Sequence, residues 1–301
     1  MDINQYFSFS RIGLVMKRDL MENWKTNLYR FLGPYAGFLL VMIFGYLNSE
    51  SNYAMNYPER AFNNFANSVM SALLAILIIA GAYYASYVME TMRTQQSRVS
   101  YLMLPATMLE KFVARSLFVT VGFLLMIVVA LFLAEATRFL FLPLFDVPDT
   151  FNQSIFPYIW EKVTWVNTSW YGCTEEVAYM NGLLMKIAAI MAILWLHSFF
   201  ILGGCYWYKK PFWKTLGVGL LVFIVLCWLM VKFVEFMQRL YDSGKCERFY
   251  DWFRKVCEWM DTAGGFTFII VLLTIFIVFN WWRSYKVFTR SQVIKPKFRL
   301  L

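Results

Sequence analysis

Thr107 and Glu110 stand three residues apart, just after Pro105. That spacing is a capping box, in which each side chain accepts a hydrogen bond from the backbone N–H at the other position, and it predicts a helix that begins after Thr107. Pro105 disfavours helical backbone at Leu104 and marks a break before the new helix. Ser100, Tyr101, Leu104, Pro105, Thr107, Glu110 and Lys111 therefore read as a short polar-to-apolar elbow. Glu135, Lys186 and the single histidine, His197, are the candidates for polar groups inside the membrane. Such groups are costly in hydrocarbon and tend to face a protein interior or a cavity. His197 is either a functional group or a neutral imidazole that bonds a neighbouring helix and fixes packing. Glu135 and Lys186, each close to the end of its run, are expected at a similar depth and close to each other.

Catalytic constellations are missing. One histidine cannot build a His-rich metal site or an H-E-x-x-H helix. No G-x-x-x-x-G-K-[ST] run is present to cradle the phosphates of ATP, and no G-x-S-x-G turn occurs. Catalytic residues, a metal and a cofactor are not expected in this chain.

The elements that must hold the elbow and the buried charges follow from composition. Of 301 residues, 60% are hydrophobic and 16% charged, where soluble domains carry about a quarter charged. The apolar residues fall in six blocks, 31–47, 68–88, 116–134, 187–208, 215–231 and 264–282. Each is near the roughly 20 residues that cross a bilayer core, and none alternates in the manner of a membrane barrel strand. The fold class is thus an all-α integral membrane protein with six transmembrane helices in a single domain over 1–301. The first block lies behind five Lys or Arg with no small-residue cleavage site after it, so a cleavable secretory signal is not expected.

Loop charge orients the spans. Residues 1–30, 89–115, 209–214 and 283–301 together hold 18 Lys or Arg against 5 acids, whereas 48–67, 135–181 and 232–263 hold 9 against 14. Basic loops stay in the cytoplasm, which predicts both termini, the 89–115 elbow and the basic 283–301 tail inside. The net charge of +9 then sorts the loops and grips anionic lipid of the bilayer; no nucleic-acid partner is expected.

Within 1–30, Phe9, Ile12, Met16, Leu20 and Trp24 recur at three- and four-residue steps, with Arg11, Lys17, Arg18, Glu22 and Lys25 opposite. This predicts an amphipathic helix in the cytoplasmic interface, serving as an anchor or as part of a docking surface. The outer region 135–181 is rich in aromatics, among them Phe145, Phe151, Phe156, Trp160, Trp165, Trp170 and Tyr171. It is expected to hug the headgroups, or else to form a vestibule. Residues 232–263 predict an external amphipathic helix with Phe249, Phe253, Val256 and Met260 on one face.

Cys173, Cys246 and Cys257 fall on the outer side. On one straight helix, Cys246 and Cys257 would be roughly 16 Å apart, beyond the ~7 Å Cα separation a disulfide allows. An outer disulfide would therefore join Cys173 to Cys246 or to Cys257 and leave one thiol over. Cys205 and Cys227 lie within spans, as packing residues. Gly33 and Gly37 in the first span, and Gly203-Gly204 with Gly217-x-Gly219 in the fourth and fifth, offer close helix approach, either within the monomer or in a dimer.

The run Ser100-Tyr-Leu-Met-Leu-Pro-Ala-Thr-Met-Leu-Glu-Lys-Phe112, with Phe7-Ser-Phe-Ser-Arg-Ile-Gly13, Lys17-Arg-Asp-Leu20 and the six-span layout, resembles the permease subunits of type-two ATP-binding-cassette exporters. More narrowly, it is similar to versions common in Bacteroidetes. The likeness in topology covers the whole chain; the likeness in residues covers about 7–20 and 97–113. It implies a permease-like subunit of an ATP-driven exporter, energised by a separate cytoplasmic ATPase that holds the ATP and Mg, and paired as a homodimer or as a heterodimer with a second permease. In that family the N-terminal amphipathic helix and the loop after the second span receive the ATPase, which places the contact on 100–111 here. Two segments depart from the minimal pattern: the longer, aromatic 135–181 region, and the charged 232–263 segment in place of a short hairpin. The alternative is a non-transporting sensor, assembly or accessory protein that binds a partner through the basic face.

Overall fold

The computed structural model describes residues 7–49, 55–145, 147–166, 175–207, 209–242, 247–260 and 262–290. Among the described residues the regular structure is helical and no strand occurs. The helices are α1 (Phe9–Glu22), α2 (Trp24–Ser49), α3 (Pro58–Ser86), α4 (Gln95–Leu102), α5 (Met108–Leu117), α6 (Phe123–Phe141), α7 (Phe156–Thr164), α8 (Glu175–Tyr206), α9 (Pro211–Asp242), α10 (Glu247–Met260) and α11 (Ala263–Thr289). Six continuous helical stretches are long and apolar enough to cross a membrane: Trp24–Asn48, Pro58–Met92, Met108–Leu144, Glu175–Tyr206, Pro211–Arg239 and Ala263–Thr289. The protein is multi-pass, and helices are the form in which a lipid-embedded backbone satisfies its own N–H and C=O groups.

Local chemistry sets the boundaries. Asn23 alone separates α1 from α2, its N–H bonding Asp19 O at 3.2 Å. Pro58 opens α3 at a position where its missing N–H costs nothing. Pro211 opens α9 in the same way, after Lys210 turns the chain at φ 50°. Between α5 and α6 the helix widens to a π turn over Phe118–Gly122. Thr120 Oγ1 back-bonds to Ser116 O there at 2.7 Å.

The chain gathers into two compact units, one running to Trp165 and taking in the chain again from Phe288, the other Val166–Val287. In the first, α2 packs on α3 and α6. Phe38, Met42 and Tyr46 meet Phe62, Phe65 and Val69 across one seam, and Phe123, Ile127 and Leu131 across the other. Gly37 lets the Ile76 side chain come close to α2, while Gly33 has nothing near it.

The outer aromatic region departs from expectation in its first half. Phe151 and Ile155 are fully buried in this core, with the Phe151 ring 5.4 Å from Phe65 and 5.8 Å from Tyr46. A loop resting on headgroups would not bury them. The physical reason is Arg138, whose guanidinium takes the carbonyls of Phe151 and Gln153 and draws the loop inward. Trp160 and Trp165 stay exposed, and Trp170 and Tyr171 lie outside the described residues.

In the second unit α8 and α9 form a hairpin. Gly203 abuts the buried Thr215 side chain, and Gly219 abuts the Phe199 ring. Further along, α9 loses its partners: none of its most apolar stretch is buried within the chain. The Phe253 ring of α10 packs on Phe233 of α9 at 5.8 Å. Cys205 is buried, and Cys227, expected to pack, is exposed on the bare part of α9. Cys173 and Cys246 lie outside the described residues, as does the Cys257 side chain, and so does any outer disulfide.

A Cβ at Gly203 would overlap Thr215, whereas one at Gly217 meets nothing within 4 Å. Gly203→Val should therefore cost about 1–3 kcal/mol through overpacking. Gly217→Ala should be neutral or gain up to ~1 kcal/mol from helix propensity. Thermal unfolding of the two variants in detergent checks the contrast.

Candidate functional site

The third membrane-crossing stretch, Met108–Leu144, is 37 residues long. At 1.5 Å per residue it is roughly 55 Å, nearly twice the ~30 Å hydrocarbon thickness, so its ends stand beyond the core. At one end is α5, with Glu110, Lys111 and Arg115 on a single ten-residue helix.

Glu110 is the first fixed point. Its Oε2 accepts the Thr107 N–H at 2.8 Å, and its own N–H donates to Thr107 Oγ1 at 3.2 Å, so the capping box closes. The same carboxylate reaches a second helix. Oε1 accepts the N–H of Ser8, the N-cap residue of α1, at 2.7 Å, and Arg11 Nη2 at 2.7 Å. One buried carboxylate thus caps α1 and α5 together, at the ends where helix N–H groups are unsatisfied and a negative charge is favoured.

Arg115 is the second fixed point. Nη1 meets Asp19 Oδ2 at 3.1 Å, Nε donates to Val88 O at 3.0 Å and Nη2 to Tyr87 O at 3.2 Å. Arg115 thereby ties α1 to the end of α3, and both partners of the ion pair are buried. Between the two fixed points Ile12 and Val15 of α1 are buried as well. Beyond them Arg18 donates to Ser100 Oγ at 2.7 Å. Burial pushes the Asp19 carboxyl above its usual range in spite of Arg115 beside it, and burial likewise raises the Tyr101 phenol.

The elbow between α4 and α5 is closed by its own bonds. Tyr101 Oη donates to Lys111 O at 3.0 Å, and Lys111 Nζ donates to Leu102 O at 2.7 Å. Thr94 and Ser97 cap α4, and Arg98 is buried with its Nε on Met92 O at 3.3 Å. What projects is the tip: Met103 is 80% exposed and Pro105 is exposed beside it. On the α1 side the elbow borders a groove of about 450 Å³ lined by Arg18, Glu22, Glu90, Arg93, Ser97 and Ser100. Glu90 is held by Arg30 at 2.5 Å. The Phe112 ring, on the buried side of α5, lies 5.6 Å from Phe288.

All seven expected elbow residues fall on this one construction. Arg11, Asp19, Arg115 and Met103 belong to it too, although no motif marks them. The expected lipid stripe of α1 is corrected in part: Ile12 faces the protein and Met16 is half-buried, because Asp19, one and two turns on from Val15 and Ile12, must reach Arg115. The one sequence sign was an acid in register with two aliphatic residues.

The intramembrane candidates are divided between the two units. Glu135 pairs with Arg138, Oε2 to Nε and Oε1 to Nη2 each at 2.8 Å. Its Oε1 also accepts the Ile155 N–H at 3.0 Å, and Arg138 reaches Tyr46 Oη at 3.1 Å. Glu135 thus has a partner one turn along its own helix, while Lys186 lies on α8 of the other unit, half-buried. His197 is half-buried on α8, next to Ser198, which accepts Asn280 Nδ2 of α11 at 3.0 Å. No group of three His, Cys, Asp or Glu among the described residues is placed to hold a metal ion.

Compared with known protein families, curated proteins and solved structures, the chain matches none.

Two outcomes follow from the buried charges. Arg138→Met leaves the Glu135 carboxylate buried without its cation and should cost about 3–5 kcal/mol, part of which Glu135→Gln in the same chain restores, as measured by thermal unfolding. Because the folded-state pKa of Asp19 is raised, its contribution to stability is whole below the usual carboxylate range and is lost as pH rises through the raised value. Arg115 and Arg18 oppose this shift and Glu22 adds to it. Asp19→Asn should flatten that part of the profile, from the usual carboxylate range upward, in thermal unfolding followed against pH.

Proposed function

We propose that this chain is the membrane-spanning, permease-like subunit of an ATP-driven exporter, energised by a separate cytoplasmic ATP-binding-cassette ATPase at the elbow. The observation that carries this reading is the elbow itself. Its tip projects Met103 and Pro105 into the open, while its base is bonded to α1, α3 and α5. A push on the tip is therefore delivered to three helices at once, and α5 continues through the π turn into the third span. Such a lever needs an engine on another chain, because this one carries no phosphate loop.

On this reading the elbow and both termini are cytoplasmic in a bacterial inner membrane, as the loop charges favour. Helix α10, with its charged face, lies outside. The subunit works with a second permease, identical or not; the uncovered apolar stretch of α9 supports pairing. The ATPase brings the ATP and Mg. The groove beside the outer loop, about 620 Å³ with Phe62 and Tyr158 in its walls, supports an amphipathic cargo.

Affinity capture from native membranes should bring down an ATPase with a phosphate loop, and the complex in nanodiscs should hydrolyse ATP. Met103→Asp, which alters only an exposed tip, should leave the unfolding temperature unchanged and reduce ATPase recovery at least tenfold. Recovery of no nucleotidase would replace the exporter with the accessory-protein reading.

A further inference from the structure

The ion pairs that fix α1 to the elbow also fix which of its side chains are left over. With Ile12, Val15 and Asp19 inward, the residues turned away from the protein are Phe9, 81% exposed, Leu14, 64%, Leu20, and Met21, 68%. At 100° per residue Phe9 and Leu20 share one strip, Leu14 and Met21 share another, and Lys17 stands between the strips. Trp24, the first residue of α2, is exposed at the end of this face. Lys25 Nζ lies 5.7 Å from the Trp24 ring centroid. No acid interrupts this face: Asp19 points inward, and Glu22 sits on the far flank, paired with Arg18 at 2.6 Å.

We infer that this outward face of α1 is a docking surface for an anionic phospholipid leaflet. Continuity decides the occupant. Only Asn23 lies between α1 and the first membrane-crossing stretch, which begins at Trp24, so the end of α1 is held at the bilayer boundary whatever else binds the protein. There, four large apolar side chains enter the acyl boundary and two lysines meet the headgroups. The lysines select charge, because each cation at an anionic surface is favoured by roughly 1 kcal/mol, about thirtyfold for the pair. Since the opposite face of the helix holds Glu110 and Arg115, the charge of the leaflet acts on the same helix that braces the elbow. This inference does not depend on the exporter reading and holds for an accessory protein as well.

The test uses the full chain in nanodiscs, with its five native cysteines replaced by serine and a fluorophore at Leu14→Cys. Quenching by phosphatidylcholine or phosphatidylglycerol carrying a nitroxide high on the acyl chain is compared. Strong quenching is expected, with a preference of up to about thirtyfold for the glycerol lipid that Lys17→Gln with Lys25→Gln abolishes. A fluorophore at Glu22→Cys should be unquenched, which shows that the helix keeps its rotation. No quenching at position 14 would mean that water, a second copy or another protein covers the face. Equal quenching by the two lipids would leave a neutral apolar contact, and a preference that survives the lysine substitutions would assign the selectivity elsewhere. Each of these three results overturns the proposal.

Discussion

A guanidinium taken out of water demands oxygens for its donors, and the first unit is organised around that demand. Arg115 collects Asp19 of α1 and two carbonyls from the end of α3; Arg138 collects Glu135, a tyrosine hydroxyl and two loop carbonyls. A buried cation with fewer partners would be strongly destabilising, so these contacts cannot be given up one at a time. The arginines thus make local geometry all-or-none. Around each, segments far apart in the chain are held in one register: 19, 88 and 115 in one case, 46, 135 and 153 in the other. The apolar seam of α2, α3 and α6 supplies most of the burial, but apolar contact is non-directional and would tolerate sliding. Charge and hydrogen bonding remove that freedom.

Much of this was legible in the residues, and the limits have physical causes. Six spans announce themselves because lipid requires long runs of one chemical character, and Thr107 with Glu110 announces a helix start because capping is local and leaves its mark within four residues. Partners at long range leave no such mark. Arg138 stands three residues from Glu135, yet no spacing says that it also takes the carbonyls of Phe151 and Gln153, because depth can be guessed from a sequence and neighbourhood cannot. Part of the apolar stripe of α1 turns inward for a related reason. Hydrophobicity treats Phe9 and Ile12 alike, and only the bond between Asp19 and Arg115 decides which turns toward protein. In the outer region, aromatic composition offers headgroups or a vestibule and treats 135–181 as one piece. Phe151 and Trp160 nevertheless separate, one into the core and the other into the open, because backbone carbonyls, invisible in composition, anchor the segment near Arg138.

The elbow combines both kinds of information. Its caps are local and its base is assembled from a distance, so it is stiff without being continuous helix. The π turn after α5 adds a further property: it rotates the facing of side chains between the brace and the span that follows, so the polar groups of α5 and the apolar surface of α6 need not lie along one line.

The packing of Phe112 on Phe288 bears on biogenesis. The helix carrying Phe112 is made early, yet its aromatic neighbour belongs to α11, with the fourth and fifth membrane-crossing stretches made between them. During translation the brace can acquire α1 and α3 as soon as α5 emerges, but that flank of α5 stays open until α11 has been made. The first unit is therefore begun by its earliest helices and completed by the far end of α11, which makes membrane insertion of the later helices a condition for finishing the earlier ones.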